Sequence, residues 1–207
     1  MTDVSIAAVS GPADSGLKRL MDIVLAFGLL VFLAPLLIVT AIAVKLTSAG
    51  PVLFRQQRAG LNGETFRILK FRTMTVTEDG ETIRQATKGD QRITRVGAVL
   101  RRASVDELPQ LINVLRGEMS LVGPRPHALA HDRYYGALIA DYAARYRTKP
   151  GLTGLAQIMG ARGETQTTDD MRRRIEFDNQ YIAEWTWFND VKILIMTAAI
   201  VPFQRAY

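Results

Sequence analysis

The chain has no cysteine. A disulfide framework, a zinc ribbon, an iron–sulfur cluster and a thiol nucleophile are therefore excluded. Its two histidines, His127 and His131, are too few for a His-rich metal site. Lysine is scarce: of 26 cationic residues, 6 are Lys and 20 are Arg. Arginine's planar fork suits a bidentate grip on phosphate or carboxylate. Gly and Pro together make up 24 of 207 residues, which excludes collagen, low-complexity sequence and wholesale disorder. The remainder, 48% hydrophobic and 22% charged overall, suits one globular domain of ordinary size.

The net charge is +6. Between Arg55 and Arg125 there are 13 basic and 8 acidic residues, so the excess is concentrated there. A solvated basic face, an anionic lipid surface, a nucleotide and nucleic acid are all compatible with that excess. Charge is missing altogether from Ile23 to Val44, a run of 22 residues long enough for a membrane helix. Basic residues resume after the run, with no small-residue cleavage site, so it does not read as a cleaved signal peptide. Lys18 and Arg19 precede it, and Lys45, Arg55 and Arg58 follow it. Cations on both flanks favour the same side of a membrane for both ends. Pro35 removes a helix hydrogen bond just past the middle. These features fit either a kinked single span or a helix that enters one leaflet, breaks at Ala34-Pro35 and returns.

No internal repeat is visible. The stretch after Gly50-Pro51 reads as two strands around an Asn62-Gly63 turn. Residues Thr75 to Asp90 are polar and ambiguous. Leu108, Leu111, Ile112 and Leu115 follow helical spacing, and Gly117 is placed to end that helix. Two prolines make Val122-Gly-Pro-Arg-Pro126 a rigid turn. Ala128 to Arg147 reads as helical, and Lys149 to Gly154 as a second tight turn. Asp169 to Trp185 reads as a charged helix with Met171, Ile175, Ile182 and Trp185 on one face. The adjoining Arg172-Arg-Arg174 run reads as solvated. Val191 to Val201 is apolar but too short to span. It suits an interfacial element beside Trp185, Trp187 and Phe188, or a plain core helix.

The chemistry-bearing feature is Asp106-Glu107, the one adjacent Asp-Glu pair in the chain. Ser104-Val-Asp-Glu107 has the pattern of a capping box, with Ser104 as N-cap and Glu107 at N3. In the other register Asp106 is the N-cap and Pro109 falls at N3. In both, Asp106 sits where a helix dipole favours a carboxylate and a phosphate can dock. Acidic residues at helix starts commonly do no more than cap. Here Arg101 and Arg102 lie just upstream, and the Gly-Pro-Arg125-Pro turn would hold Arg125 in a fixed direction.

These residues resemble those of the bacterial sugar transferase family, the monotopic phosphoglycosyl transferases. The resemblance runs from Lys18 to Thr197. It is carried by Lys18-Arg-Leu-Met-Asp22, Ala34-Pro35, Gly50-Pro-Val-Leu-Phe-Arg-Gln-Gln-Arg58, Lys70-Phe-Arg-Thr-Met74, Arg101, Ser104-Val-Asp-Glu-Leu-Pro-Gln110, Asn113, Gly117 through Pro126 and Pro150-Gly-Leu-Thr-Gly154. It implies a small family member without the preceding four-helix bundle of the large ones. The implied fold is mixed α/β: a compact cytoplasmic domain with a β-hairpin and several helices, on an N-terminal re-entrant membrane helix and interfacial helices. The expected division is a disordered stretch over 1–16, the re-entrant helix over 17–49, and a catalytic sugar-phosphate transferase domain over 50–207 ending in an interfacial segment.

The resemblance also implies the chemistry. Asp106 corresponds to the nucleophile that attacks the β-phosphate of a UDP-sugar and releases UMP. Undecaprenyl phosphate then takes the sugar phosphate. Mg²⁺ is the implied cofactor, with Asp106 as its protein ligand. Arg101 and Arg125 are the implied phosphate-binding residues, and Glu107 a base, a metal partner or, if it serves the capping box, neither. Gln157 and Arg162 are candidates for nucleotide-sugar contacts. Ala34 stands where the family often has Ser, and Leu155 and Met159 stand where it commonly has Trp and Asn. The stretches Gly123 to His131 and Arg162 to Thr165 resemble the undecaprenyl-phosphate glucose phosphotransferase branch, which favours UDP-glucose. Both histidines there read as structural. The expected place is the bacterial inner membrane, facing the cytoplasm, with the phospholipid bilayer as a partner, no nucleic acid, and a homodimer left open. A nucleic-acid binder would interleave its basic residues with stacking aromatics, and Arg55 to Arg125 has Phe54, Phe66 and Phe71 alone beside it. An inactive assembly scaffold is the other alternative.

Overall fold

A computed structural model describes residues 11–75, 90–161, 163, 165 and 167–200. Residues 1–10 of the N-terminal stretch, most of the polar stretch 75–90, and Arg162 lie outside the described residues. Gly11 to Asp14 form a turn, and Ser15 then caps the first helix by accepting from Lys18 N.

The uncharged run folds as two helices, α1 (Gly16–Phe32) and α2 (Ala34–Thr47), bent by 63° at Leu33. Pro35 lies in the first turn of α2, where a helix needs no N–H partner. The break expected at Ala34-Pro35 is therefore the start of a new helix one residue after the hinge. Among the described residues no single helix is long and apolar enough to cross a membrane. Most apolar side chains past the first turns of α1 stay exposed, although Ala26 is buried: Phe27 is 61% and Phe32 79% exposed, and Leu46 near the end of α2 is 80% exposed.

The hairpin follows as expected. Strands β1 (Leu53–Ala59) and β2 (Thr65–Phe71) pair antiparallel, from Leu53 opposite Phe71 to Ala59 opposite Thr65. Asn62 and Gly63 both take positive φ, 54° and 78°, within a Gly60–Glu64 loop. Phe66 and Ile68 are buried on one face, and Lys70 continues their period-two register.

Helix α3 (Arg95–Arg102) starts at Thr94, whose hydroxyl accepts from Gly97 N. Helix α4 (Gln110–Arg116) ends at Gly117 in the left-handed conformation, φ 82°, as its sequence position suggested. Asn113, fully buried on α4, completes the free edge of β2. Its Oδ1 accepts from Leu69 N at 3.0 Å, and its Nδ2 donates to Arg67 O at 2.8 Å. The amide thus substitutes for a third strand.

Lys149 to Gly154 is not a free turn. Gly151–Thr153 forms β4, parallel to β3 (Ser120–Val122). The backbones meet so closely that a Cβ on Gly151 would fall 2.1 Å from Gly123 N. Sequence spacing does not show that approach. The helical reading of Ala128 to Arg147 also needs correction. Helix α5 covers Leu129–Leu138, the chain extends at Ile139, and Tyr142–Arg147 is a 3₁₀ segment. A short helix α6 (Leu155–Ile158) then leads toward α7 (Thr168–Ala183), which has a full capping box at Thr167 and Asp170. Met171 and Ile175 of α7 are buried as expected, but so is Arg174, which donates to Ala161 O and Gly163 O, both at 2.9 Å. The arginine run is therefore solvated at Arg172 and structural at Arg174. Helix α8 (Trp187–Ile200) places Asp190 and Ile193 in the core and leaves Phe188 and Ile195 exposed.

The core gathers Ala26, Phe66, Ile68, Leu111, Val114, Met119, Leu121, Val122, Tyr181 and Ile193, and a buried ion pair ties its elements together. Lys18 Nζ of α1 lies 2.6 Å from Asp190 Oδ2 of α8 and donates to Val122 O at 3.0 Å. Asp190 also accepts from Tyr181 Oη at 2.8 Å and Trp185 Nε1 at 3.1 Å. One helical turn on, Asp22 accepts from Leu121 N at 2.9 Å and Ser120 Oγ at 3.1 Å. Between them Arg19 donates to the terminal carbonyls of α4, Val114 O and Leu115 O. Asp190→Ala should leave Lys18 buried and unpaired. A loss of about 3–5 kcal/mol is expected, read as a lower thermal or denaturant midpoint of the micelle-solubilised protein.

Candidate active site

Asp106 and Glu107 lie in a 3₁₀ turn, Val105–Glu107, between α3 and α4. Ser104 enters that turn in the left-handed conformation, φ 57°, and its side chain makes no capping bond. Helix α4 begins only at Gln110, with Pro109 at its cap position. Neither capping register is adopted. The left-handed Ser104 reverses the chain after α3, so the two carboxylates point to different surroundings.

Glu107 is clamped. Arg125 meets it with both terminal nitrogens, Nη2 to Oε1 at 2.5 Å and Nη1 to Oε2 at 3.1 Å. Lys70 Nζ donates to Oε1 at 2.8 Å. Burial alone would raise the Glu107 pKa, but the Arg125 and Lys70 charges outweigh it and hold the carboxyl well below the usual range. Burial in turn pushes the Lys70 ammonium down.

Asp106 differs in every respect. It is 7% exposed and makes no hydrogen bond or ion pair with any described residue. Burial raises its pKa, and the negative charge of Glu107 adds to the effect; Lys70, Arg101 and Arg125 oppose it from a distance. The result is a carboxylate without a hydrogen-bond partner among the described residues, near Lys70 and Arg125, which are already committed to Glu107. Arg101 sits on the last turn of α3, and Arg102 beside it is exposed.

The structure thus brings together Asp106, Glu107, Arg101 and Arg125 of the expected residues. It adds Lys70, whose signal in the sequence was a lysine in register with Phe66 and Ile68 on the buried face of β2. Gln157 is not part of this cluster: it is buried on α6, with Nε2 donating to Leu152 O at 3.5 Å. His127 is buried and held neutral, first by burial and then by the Arg145 charge, in line with a structural role. His131 stands edge-on to Tyr135. Among the described residues no group of three or more acidic or histidine side chains could cage a metal. Asp106 offers one free carboxylate, which fits Mg²⁺, since that ion keeps waters and uses one or two carboxylates plus substrate phosphates.

A sequence profile of the bacterial sugar transferases matches residues 13–204. The chain belongs to the bacterial sugar transferase family. It is 59% identical over 191 residues to a UDP-glucose:undecaprenyl-phosphate glucose-1-phosphate transferase of Caulobacter vibrioides, covering 92% of this chain and 72% of that protein. It is 54% identical over 181 residues to the transferase of the same name from Escherichia coli K12, covering 87% of this chain but 39% of that one. An exopolysaccharide production protein of Rhizobium leguminosarum bv. phaseoli is 45% identical over 188 residues, covering 89% and 94%. This sugar transferase chain therefore spans well under half of the Escherichia coli relative and nearly all of the Rhizobium one.

The Glu107 clamp has a pH signature. A carboxyl held below its unfolded value adds stability above the unfolded pKa, about 4.5, and loses it as pH falls through the folded value. Lys70→Met should raise the folded value and move the acid limb of thermal unfolding upward by about one pH unit. Melting temperatures between pH 2 and 7 would show the shift.

Proposed function

We propose that this protein transfers glucose 1-phosphate from UDP-glucose to undecaprenyl phosphate, with Asp106 as the nucleophile. The observation that carries the reading is the contrast within the dyad: a buried Asp106 with no partner among the described residues, beside a Glu107 saturated by Arg125 and Lys70. A carboxylate is a competent covalent nucleophile when its charge is not already neutralised by a partner.

In the first step an Asp106 oxygen attacks the β-phosphorus of UDP-glucose. The bond from that phosphorus to the bridging oxygen breaks, and UMP leaves with the electron pair. In the second step an oxygen of undecaprenyl phosphate attacks the same phosphorus. The acyl-phosphate bond breaks, Asp106 is restored, and undecaprenyl diphosphate glucose is the product. Arg125 and Lys70, preset by Glu107, supply positive charge beside the reacting phosphate without reorganising. Arg101 adds charge from the end of α3. In this arrangement Glu107 sets the arginine and the lysine; its low pKa and occupied oxygens argue against a base. Asp106 would hold Mg²⁺, whose charge would favour departure of UMP. Gln157, buried and turned to Leu152 O, is not assigned to the nucleotide.

The relatives named for UDP-glucose support the choice of sugar. The exposed apolar surfaces of α1 and α2 support a bilayer, and the 63° bend supports re-entry from the cytoplasmic side of the inner membrane. At 1.5 Å per residue, α2's 14 residues reach about 21 Å, short of the ~30 Å hydrocarbon core. The exposed Phe188 and Ile195 of α8 suit the interface beside it.

Incubation with UDP-glucose and Mg²⁺, without lipid, should release UMP and leave a hexose phosphate on the Asp106 peptide by mass spectrometry. Asp106→Asn should abolish both, lowering turnover by at least about a thousandfold. Near wild-type turnover in that variant would overturn the mechanism, and a tenfold faster reaction with an N-acetylated or galactose donor would overturn the sugar. For topology, Cys introduced at the exposed positions Asp14 and Pro51 of this Cys-free chain should both label from the cytoplasmic side. Periplasmic labelling of one alone would mean a true span.

A further inference from the structure

The Arg125 turn holds itself poorly. Pro124 and Pro126 have no N–H to donate, so its three successive carbonyls are tied from outside. Pro124 O accepts from Gly151 N of β4 at 2.8 Å, and Pro126 O accepts from Arg58 Nη1 of β1 at 3.2 Å. The middle carbonyl, Arg125 O, accepts from Arg145 Nη2.

Arg145 is 3% exposed, in the 3₁₀ segment Tyr142–Arg147. Its Nη2 lies 3.1 Å from Asp178 Oδ2 of α7. Its Nη1 donates to Tyr142 Oη at 3.2 Å and meets His127 Nδ1. Tyr142 Oη in turn donates to Asp132 Oδ1 at 2.7 Å. A buried ion pair contributes little net stability compared with apolar residues of the same volume. What an apolar core would lack is the directed bond to the backbone of Arg125, the residue whose side chain spans Glu107.

We propose that Arg145 is a positioning residue for Arg125. Held by Asp178 and Tyr142, it fixes the Arg125 carbonyl from behind and so fixes the direction of the guanidinium toward the donor phosphate. The proposal rests on the function assigned above, in which Arg125 meets the phosphate.

The test is a double-mutant cycle on UMP release. Arg145→Met should lower kcat by about a hundredfold, the cost of displacing a charged group by roughly 1 Å, with KM for UDP-glucose changed less than about threefold. In an Arg125→Ala background the same change should add less than about threefold, because its route is already cut. Arg145→Lys, which keeps the charge but not the fork, should not restore kcat. Should Arg145→Met fail to fold, Tyr142→Phe keeps the ring packing and should lower kcat about tenfold, again not additively with Arg125→Ala. Full additivity, or an unchanged kcat in a folded Arg145→Met, would overturn the proposal. A second arm needs no turnover. Amide exchange at Gly123, Arg125 and His127, read by mass spectrometry without substrate, should rise at least about tenfold in Arg145→Met while α7 stays protected. Unchanged exchange there would sink the positioning role. Absence of UMP release by the wild-type protein would sink the functional reading instead, leaving the exchange arm to decide on Arg145.

Discussion

The Lys18–Asp190 pair is the constraint on which the arrangement of this chain depends. It joins the first described helix to the last, and through Val122 O and Tyr181 it also gathers β3 and α7. A charge buried this deeply is tolerable only with its counter-charge and its remaining hydrogen bonds in place. All the described partners must therefore dock together, which makes the start of α1 part of the domain core. Arg19 and Asp22 extend the same attachment to α4 and β3. Beyond Asp22 the side chains of α1 turn apolar and mostly exposed, with Ala26 still in the core. The boundary between packed core and exposed apolar surface thus falls within one continuous helix.

A second consequence is geometric. With α1 seated on α4 and β3, α4 is held against the hairpin by Asn113, and the Val105–Glu107 turn is carried to Lys70. From the other side, the close crossing of Gly123 and Gly151 delivers the Arg125 turn to the same Glu107. Three segments far apart in sequence meet at one carboxylate. The nearby Asp106 feels the positive surroundings without being neutralised by any of them. Burial raises its pKa, while the clamped cations keep the ionised form accessible. That is the electrostatic condition a carboxylate nucleophile needs beside a phosphate.

Much of this was legible in the order of residues. The hairpin, the glycine that ends α4, the uncharged run broken at proline, the Asp-Glu pair and the rigid Arg125 turn all rest on local chemistry, and local chemistry reads directly from sequence. So did Arg172 as a solvated residue. Less legible were elements that depend on a distant partner. β4 looked like a turn because a three-residue parallel strand has no local signature; only its neighbour β3 defines it. Arg174 looked solvated because its neighbours are charged, yet carbonyls at 161 and 163 bury it.

The sequence by itself determined which groups were available: one Asp-Glu dipeptide, an excess of arginine over lysine, no thiol, and an uncharged run of 22 residues with a proline past its middle. It also determined the family, since ordered motifs survive in one dimension. Only the tertiary structure decided how the two carboxylates of the dyad are paired. In sequence, either carboxylate can serve a helix cap, Glu107 from N3 below Ser104 or Asp106 as the N-cap itself. The left-handed turn at Ser104 removes the cap, and Arg125 and Lys70, respectively 18 residues after and 37 before Glu107, take that carboxylate and leave its neighbour without a partner among the described residues. Charge pairing falls off with distance in space, and distance in space is what the order of residues does not record.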